Sequence, residues 1–160
     1  MEMQSSVQQG KKRTVEPTIS VLNGLIGVCR DTYNGYLEAA EGVASTRYKT
    51  MFAEYAHQRD RFSADLANFI LEMGGAVTGT SDKVDTTHHV WANIRAATTN
   101  GETGVILAEC ERGEDAAMEA YERALHNTLP QKIYQVVKNQ YDLVVRAHNR
   151  IRDLRDTYRQ

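Results

Sequence analysis

Apolar residues recur every three or four positions through four long stretches of the chain, the period of a helix buried on one side. The first stretch runs from about Pro17 to Gly42, with Leu22, Leu25, Ile26, Cys29, Tyr33, Tyr36, Ala40 and then Val43 on its stripe. The second runs from Thr46 to Met73, with Phe52, Tyr55, Phe62, Leu66, Phe69 and Met73 on one face, and Gly74-Gly75 ends it. The third, about Glu102 to His126, turns Ile106, Cys110, Ala117, Tyr121 and Leu125 inward. The fourth, about Gln131 to Tyr158, turns Ile133, Val137, Val144, Ile151 and Leu154 inward. No stretch alternates apolar and polar residues as a half-buried strand does, so the fold class is all-α.

The connections predict the topology. Short turns after the first and third long helices imply two antiparallel hairpins. Between the second and third lies a connection over 74–101, comparable in length to the helices themselves, with a shorter helix expected at Val84–Ala97 carrying Val90, Trp91 and Ile94. A connection that runs the length of a bundle gives a ferritin-like four-helix bundle with a long helical crossover between helices 2 and 3. The two hairpins are also weakly alike: CRDTYNGYLEAAE from Cys29 aligns with CERGEDAAMEAYE from Cys110, which hints at a duplicated hairpin.

Bundle helices hold metals through Glu-x-x-His pairs, and Glu54 with His57 has that spacing. At about 100° per residue, with Tyr55 as the centre of the inward stripe, His57 falls on the outer face and Glu54 on the shoulder. The pair therefore reads as a surface coincidence. The polar residue that points inward on helix 2 is Arg59, about 40° from the stripe centre. On helix 3 the corresponding residue is Glu114, on helix 4 His148, and on helix 1 Tyr33 contributes a phenol. All lie near mid-helix, so antiparallel packing predicts a buried polar cluster of Arg59, Glu114, His148 and Tyr33. Buried charges need partners, and Arg59 with Glu114 can satisfy each other. A guanidinium in that layer disfavours a cation, so no metal or other cofactor is expected. The alternative is iron or another divalent metal held by Glu114, His148, Glu54 and Glu111. Gly113, inside helix 3, is expected to admit close packing by Tyr33 or Arg59.

The totals narrow the function classes. The chain has 160 residues and a formal net charge of −2, enough for one domain with a substantial core. Lys11-Lys12-Arg13 is too short a basic block to indicate nucleic acid, and no apolar run approaches the roughly 20 residues of a membrane span. Residues 1–16, rich in Gln, Ser and Lys, are expected to be a disordered tail without the apolar segment of a signal peptide, leaving 17–160 as the bundle. Cys29 and Cys110 have no metal-type spacing and suit a reduced, cytoplasmic setting. His88-His89 reads as a solvated face.

The runs ILAECERGEDAAMEAYERAL, LNGLIGVC, YAHQRDRFSADL and AHNRIRDLRD resemble an uncharacterised bacterial family of four-helix bundles, a domain of unknown function grouped with the ferritin-like superfamily. The resemblance covers about Ser20 to Thr157, with ECERGED (Glu109 to Asp115) as its most specific part. It implies the bundle fold and supplies no activity or catalytic residues. The second Glu-x-x-His of a di-iron site fails at Val145, three residues before His148. The expected function is that of a non-enzymatic structural or interaction protein with a metal-free polar core. It is expected to self-associate through the crossover at Val90 and Trp91, with neither nucleic acid nor membrane as partner.

Overall fold

The computed structural model describes residues 2–81 and 87–158. Among the described residues the chain is all-helical, with no strand. Four long helices, α1 (Glu2–Gly42), α2 (Thr46–Glu72), α5 (Thr103–Leu125) and α6 (Gln131–Thr157), are joined by two hairpin turns and a crossover containing α3 (His88–Trp91) and α4 (Ile94–Asn100). Two boundaries differ from the sequence expectation. The helix expected to begin at Pro17 begins at Glu2, so from Glu2 the residues expected as a disordered tail are the first turns of α1. Pro17 lies inside it and removes one internal hydrogen bond, at an exposed position that water can serve. The single crossover helix is two short ones, interrupted at Ala92-Asn93, and the start expected at Val84 lies outside the described residues.

Local chemistry explains the ends. Ser45, extended at φ −69° and ψ 123°, caps α2 by accepting a hydrogen bond from the Tyr48 amide. At the other end Gly74 takes φ 77°, a left-handed conformation that glycine adopts freely. The Gly74 and Gly75 amides then return to the Leu71 and Ile70 carbonyls at 3.0 and 2.9 Å, closing the last turn.

The crossover runs lengthwise along α1. The buried side chain of Asn23 anchors its start: the amide donates to the Ala76 carbonyl at 3.0 Å, and Oδ1 accepts from the Thr78 and Gly79 amides at 2.8 and 3.2 Å. Gly27 then lies under the Gly79 carbonyl, Gly35 under Trp91 and Gly42 under Thr98. These three glycines recur every seven or eight residues, about two helical turns, and so share one face. The chain thus returns to the far end of α1 before α5 begins. As a result α2 and α5 run in the same direction, each antiparallel to α1.

Trp91 is buried, with 5% of its surface exposed. It is wedged between α1 and α5: a Cβ added at Gly35 or at Gly113 would stand 2.1 Å from the indole. This corrects two expectations. Trp91 is an internal packing residue whose small exposed edge lines the outer groove beside α1, while Val90 beside it is half-buried. Gly113 makes room for Trp91 and not for Tyr33 or Arg59.

The apolar core divides into two clusters along the bundle. One gathers Leu22 to Cys29, Phe62 to Ile70, Ala117 to Ala124 and Ile133 to Val144. The other gathers Tyr36 to Val43, Met51 to Ala56, Ile106 to Cys110 and Ile151. The boundary falls between Cys29 and Tyr36 on α1 and near the middle of α2, α5 and α6, where Arg59 and Glu114 sit.

Candidate functional site

Arg59 comes from the middle of α2 and Glu114 from the middle of α5; their exposures are 1% and 0%. The guanidinium donates Nη1–H to Oε1 of Glu114 at 2.5 Å and Nη2–H to Oε2 at 2.6 Å. Such a two-pronged, charge-assisted pairing is among the strong hydrogen-bonded arrangements open to a buried carboxylate. Nε donates to the Gln58 side chain at 3.2 Å. The rings of Tyr36 and Phe62 lie 6.0 and 5.9 Å from the guanidinium carbon and cover it. Burial opposes the charge on Arg59, but the charge and hydrogen bonds of Glu114 outweigh it and hold the guanidinium above its usual range.

A chain of hydrogen bonds beside this pair links all four long helices. Cys29 of α1 meets the Tyr121 hydroxyl of α5 at 3.3 Å. That hydroxyl donates to Gln140 Oε1 of α6 at 2.7 Å, and Gln140 Nε2 donates to the Phe62 carbonyl of α2 at 3.4 Å. With the phenol proton directed at Gln140, Cys29 is the donor to the phenol oxygen. Burial raises the Cys29 thiol and raises the Tyr121 phenol well above its usual range. The sequence expectation omitted Gln140, although its place seven residues after Ile133 and four before Val144 puts it on the apolar stripe of α6.

The other expected members lie elsewhere. His148 is one residue past the buried Ala147, about 100° round α6, and its Nε2 meets Oδ1 of Asp115 at 2.6 Å. Its Nδ1 faces the Asn149 side-chain oxygen at 3.2 Å. Tyr33 lines a groove of about 240 Å³ between α1 and α2 with Arg30, Asp60 and Ser63. Tyr36, three residues on, is the phenol over Arg59. The burial stripe of α1 passes through Cys29, Thr32, Tyr36 and Ala39, so Tyr33 is turned away from it. The cluster of four is therefore corrected to Arg59, Glu114 and Tyr36, with His148 and Tyr33 on separate flanks. Glu54 and His57 are exposed, and Glu54 does not join Glu114 in a ligand set.

A carboxylate two-metal centre in a helical bundle takes a Glu from each of two helices and Glu-x-x-His from the other two. Here the inward pair of α2 is Arg59 and Phe62, that of α6 is Val144 and Ala147, and α1 presents Cys29, Thr32 and Tyr36. Among the described residues only α5 brings a carboxylate to the middle, and both its oxygens are held by Arg59. These residues do not fit a di-metal centre there. A different group forms at the α5–α6 shoulder, where one ligating atom each from Glu111, Asp115 and His148 lies within 4.8 Å of the others. Glu111 is also ion-paired with Arg155.

An all-helical chain with an ion pair sealed between two halves of its core is the class of protein that these features define. It belongs to the family described as a domain of unknown function (DUF2383), whose model matches residues 17–127. No curated protein matches the chain. Among the described residues no helix is long and apolar enough to cross a membrane.

Proposed function

We propose that this protein is a ferritin-like four-helix bundle that acts by binding, to its own copies first, and not by iron or dioxygen chemistry. The parallel run of α2 and α5 and the lengthwise crossover support the ferritin-like assignment. The observation that carries the functional reading is the two-pronged Arg59–Glu114 pair, which occupies the middle of the bundle with the only carboxylate directed there among the described residues. With Trp91 packed inside, the contact face is the outer groove between α1 and the crossover, about 640 Å³, where Leu37 is exposed between Glu38, Glu41 and Arg95.

Two readouts on one preparation test this reading. Ferrous iron added to the protein in air is expected to oxidise at the rate of buffer alone, and light scattering is expected to give a mass above one chain that falls in Leu37→Lys. Rapid oxidation with two irons bound per chain contradicts the first part. A strictly single-chain mass at high concentration contradicts the second.

A further inference from the structure

Glu111 and Asp115 are four residues apart on α5, so both carboxylates leave the same face of the helix. His148 enters from α6 opposite them, and the three ligating atoms lie within 4.8 Å of one another. Two of the three are pre-positioned by burial: the side chains of Glu111 and His148 are 11% and 12% exposed. Asp115, at 54%, leaves one side open to solvent. Glu111 Oε2 is ion-paired with Nη1 of the Arg155 guanidinium, which fixes the carboxylate at the shoulder.

We propose that Glu111, Asp115 and His148 bind one divalent cation of the zinc type at the α5–α6 shoulder. Two carboxylate oxygens and one imidazole nitrogen are donors that zinc accepts, at about 2.0–2.2 Å each. Three protein donors leave a fourth position for water, on the side that Asp115 leaves open. Tetrahedral coordination at those lengths places donor atoms about 3.4 Å apart. Donor atoms no more than 4.8 Å apart must adjust to that spacing, and the His148–Asp115 contact must open, both within reach of side-chain rotation. Arg155 balances one carboxylate charge and keeps Glu111 directed at the shoulder. The cation would tie the last two helices together and raise their resistance to unfolding, because it binds the folded chain alone. The site is separate from the central ion pair, and its loss leaves the proposed function standing.

Zinc titrated into purified protein, followed by competition with a chromogenic chelator, tests the site. One equivalent per chain is expected, with affinity at least tenfold weaker in Asp115→Asn and in His148→Gln. Asp115 is half-exposed, so its variant keeps the fold, and helical circular dichroism checks both. The double variant His88→Ala/His89→Ala, a histidine pair on the crossover surface, is expected to bind as the parent does. Absence of zinc binding overturns the proposal. So does parental affinity in Asp115→Asn and His148→Gln, or loss confined to the His88/His89 variant, which would mark an adventitious surface site.

Discussion

Cys29 and Cys110 show how far a residue's chemistry is set by its surroundings. Both are free thiols, buried in different halves of the core. Burial raises Cys29, and it raises Cys110 well above its usual range with the charge of Glu114 adding to the effect. The thiolate is the reactive form, so neither thiol should react with Ellman's reagent at pH 8 while the chain is folded; both should react on unfolding in urea. Fast labelling of either in the folded protein contradicts this. The same shifts give stability a direction in pH. An acid whose folded pKa is raised stabilises the fold fully below its unfolded pKa, and that contribution is lost as pH rises towards the folded value. Unfolded thiols ionise near pH 8.5 and phenols near pH 10, and Tyr36 and Tyr121 are raised as well. The urea midpoint should therefore decline above about pH 8.5.

The helices were legible in the sequence because their signals are local. Helical spacing of apolar residues and Gly74-Gly75 as a stop placed both ends of α2 within a residue. Phase was harder to read. Taking Tyr55 as the centre of the α2 stripe put Arg59 on its edge, whereas Phe52, Arg59 and Leu66 are the fully buried line and Tyr55 is half-buried. On α1 an error of phase likewise chose Tyr33 over Tyr36, three residues on. The crossover was the least legible element, because what places Trp91 is the absence of side chains at Gly35 and Gly113, some 55 and 20 residues away. Nothing in the sequence around Trp91 reports that gap.

These glycines reverse an ordinary expectation. Gly→Ala inside a helix stabilises by about 1 kcal/mol through backbone entropy. Gly35→Ala and Gly113→Ala should instead lower stability by about 1–3 kcal/mol, because the new methyl has to displace the indole. In a Trp91→Ala background the penalty should vanish and the helix-propensity gain should emerge, since the two sites couple only through contact. Urea unfolding of these four variants and of Trp91→Ala alone measures both. A more stable Gly35→Ala in the parent would show that the crossover yields at no cost.

Across the whole molecule, the Arg59–Glu114 pair organises the core. It joins α2 of the first hairpin to α5 of the second, and it separates two apolar clusters that could otherwise slide past one another. The sequence made this pair legible because two opposite charges interrupt apolar stripes at equal depth. It wrongly turned His148 inward as well, since a shoulder position differs from an inward one by a single residue, and neighbours across the helix decide it. Here they are Asp115 and Glu111 of α5, not Arg59. A buried pair is strongly destabilising to break from one side, by about 3–5 kcal/mol, while its replacement by apolar residues of similar size is often neutral. The most direct measurement is a double-mutant cycle in urea with Arg59→Met, Glu114→Leu and the two combined. Each single variant should lose about 3–5 kcal/mol, and the double should return to within about 1 kcal/mol of the parent. Single losses that merely add, leaving the double variant the least stable of the set, would contradict the pairing of these two charges as the feature that closes the middle of the bundle.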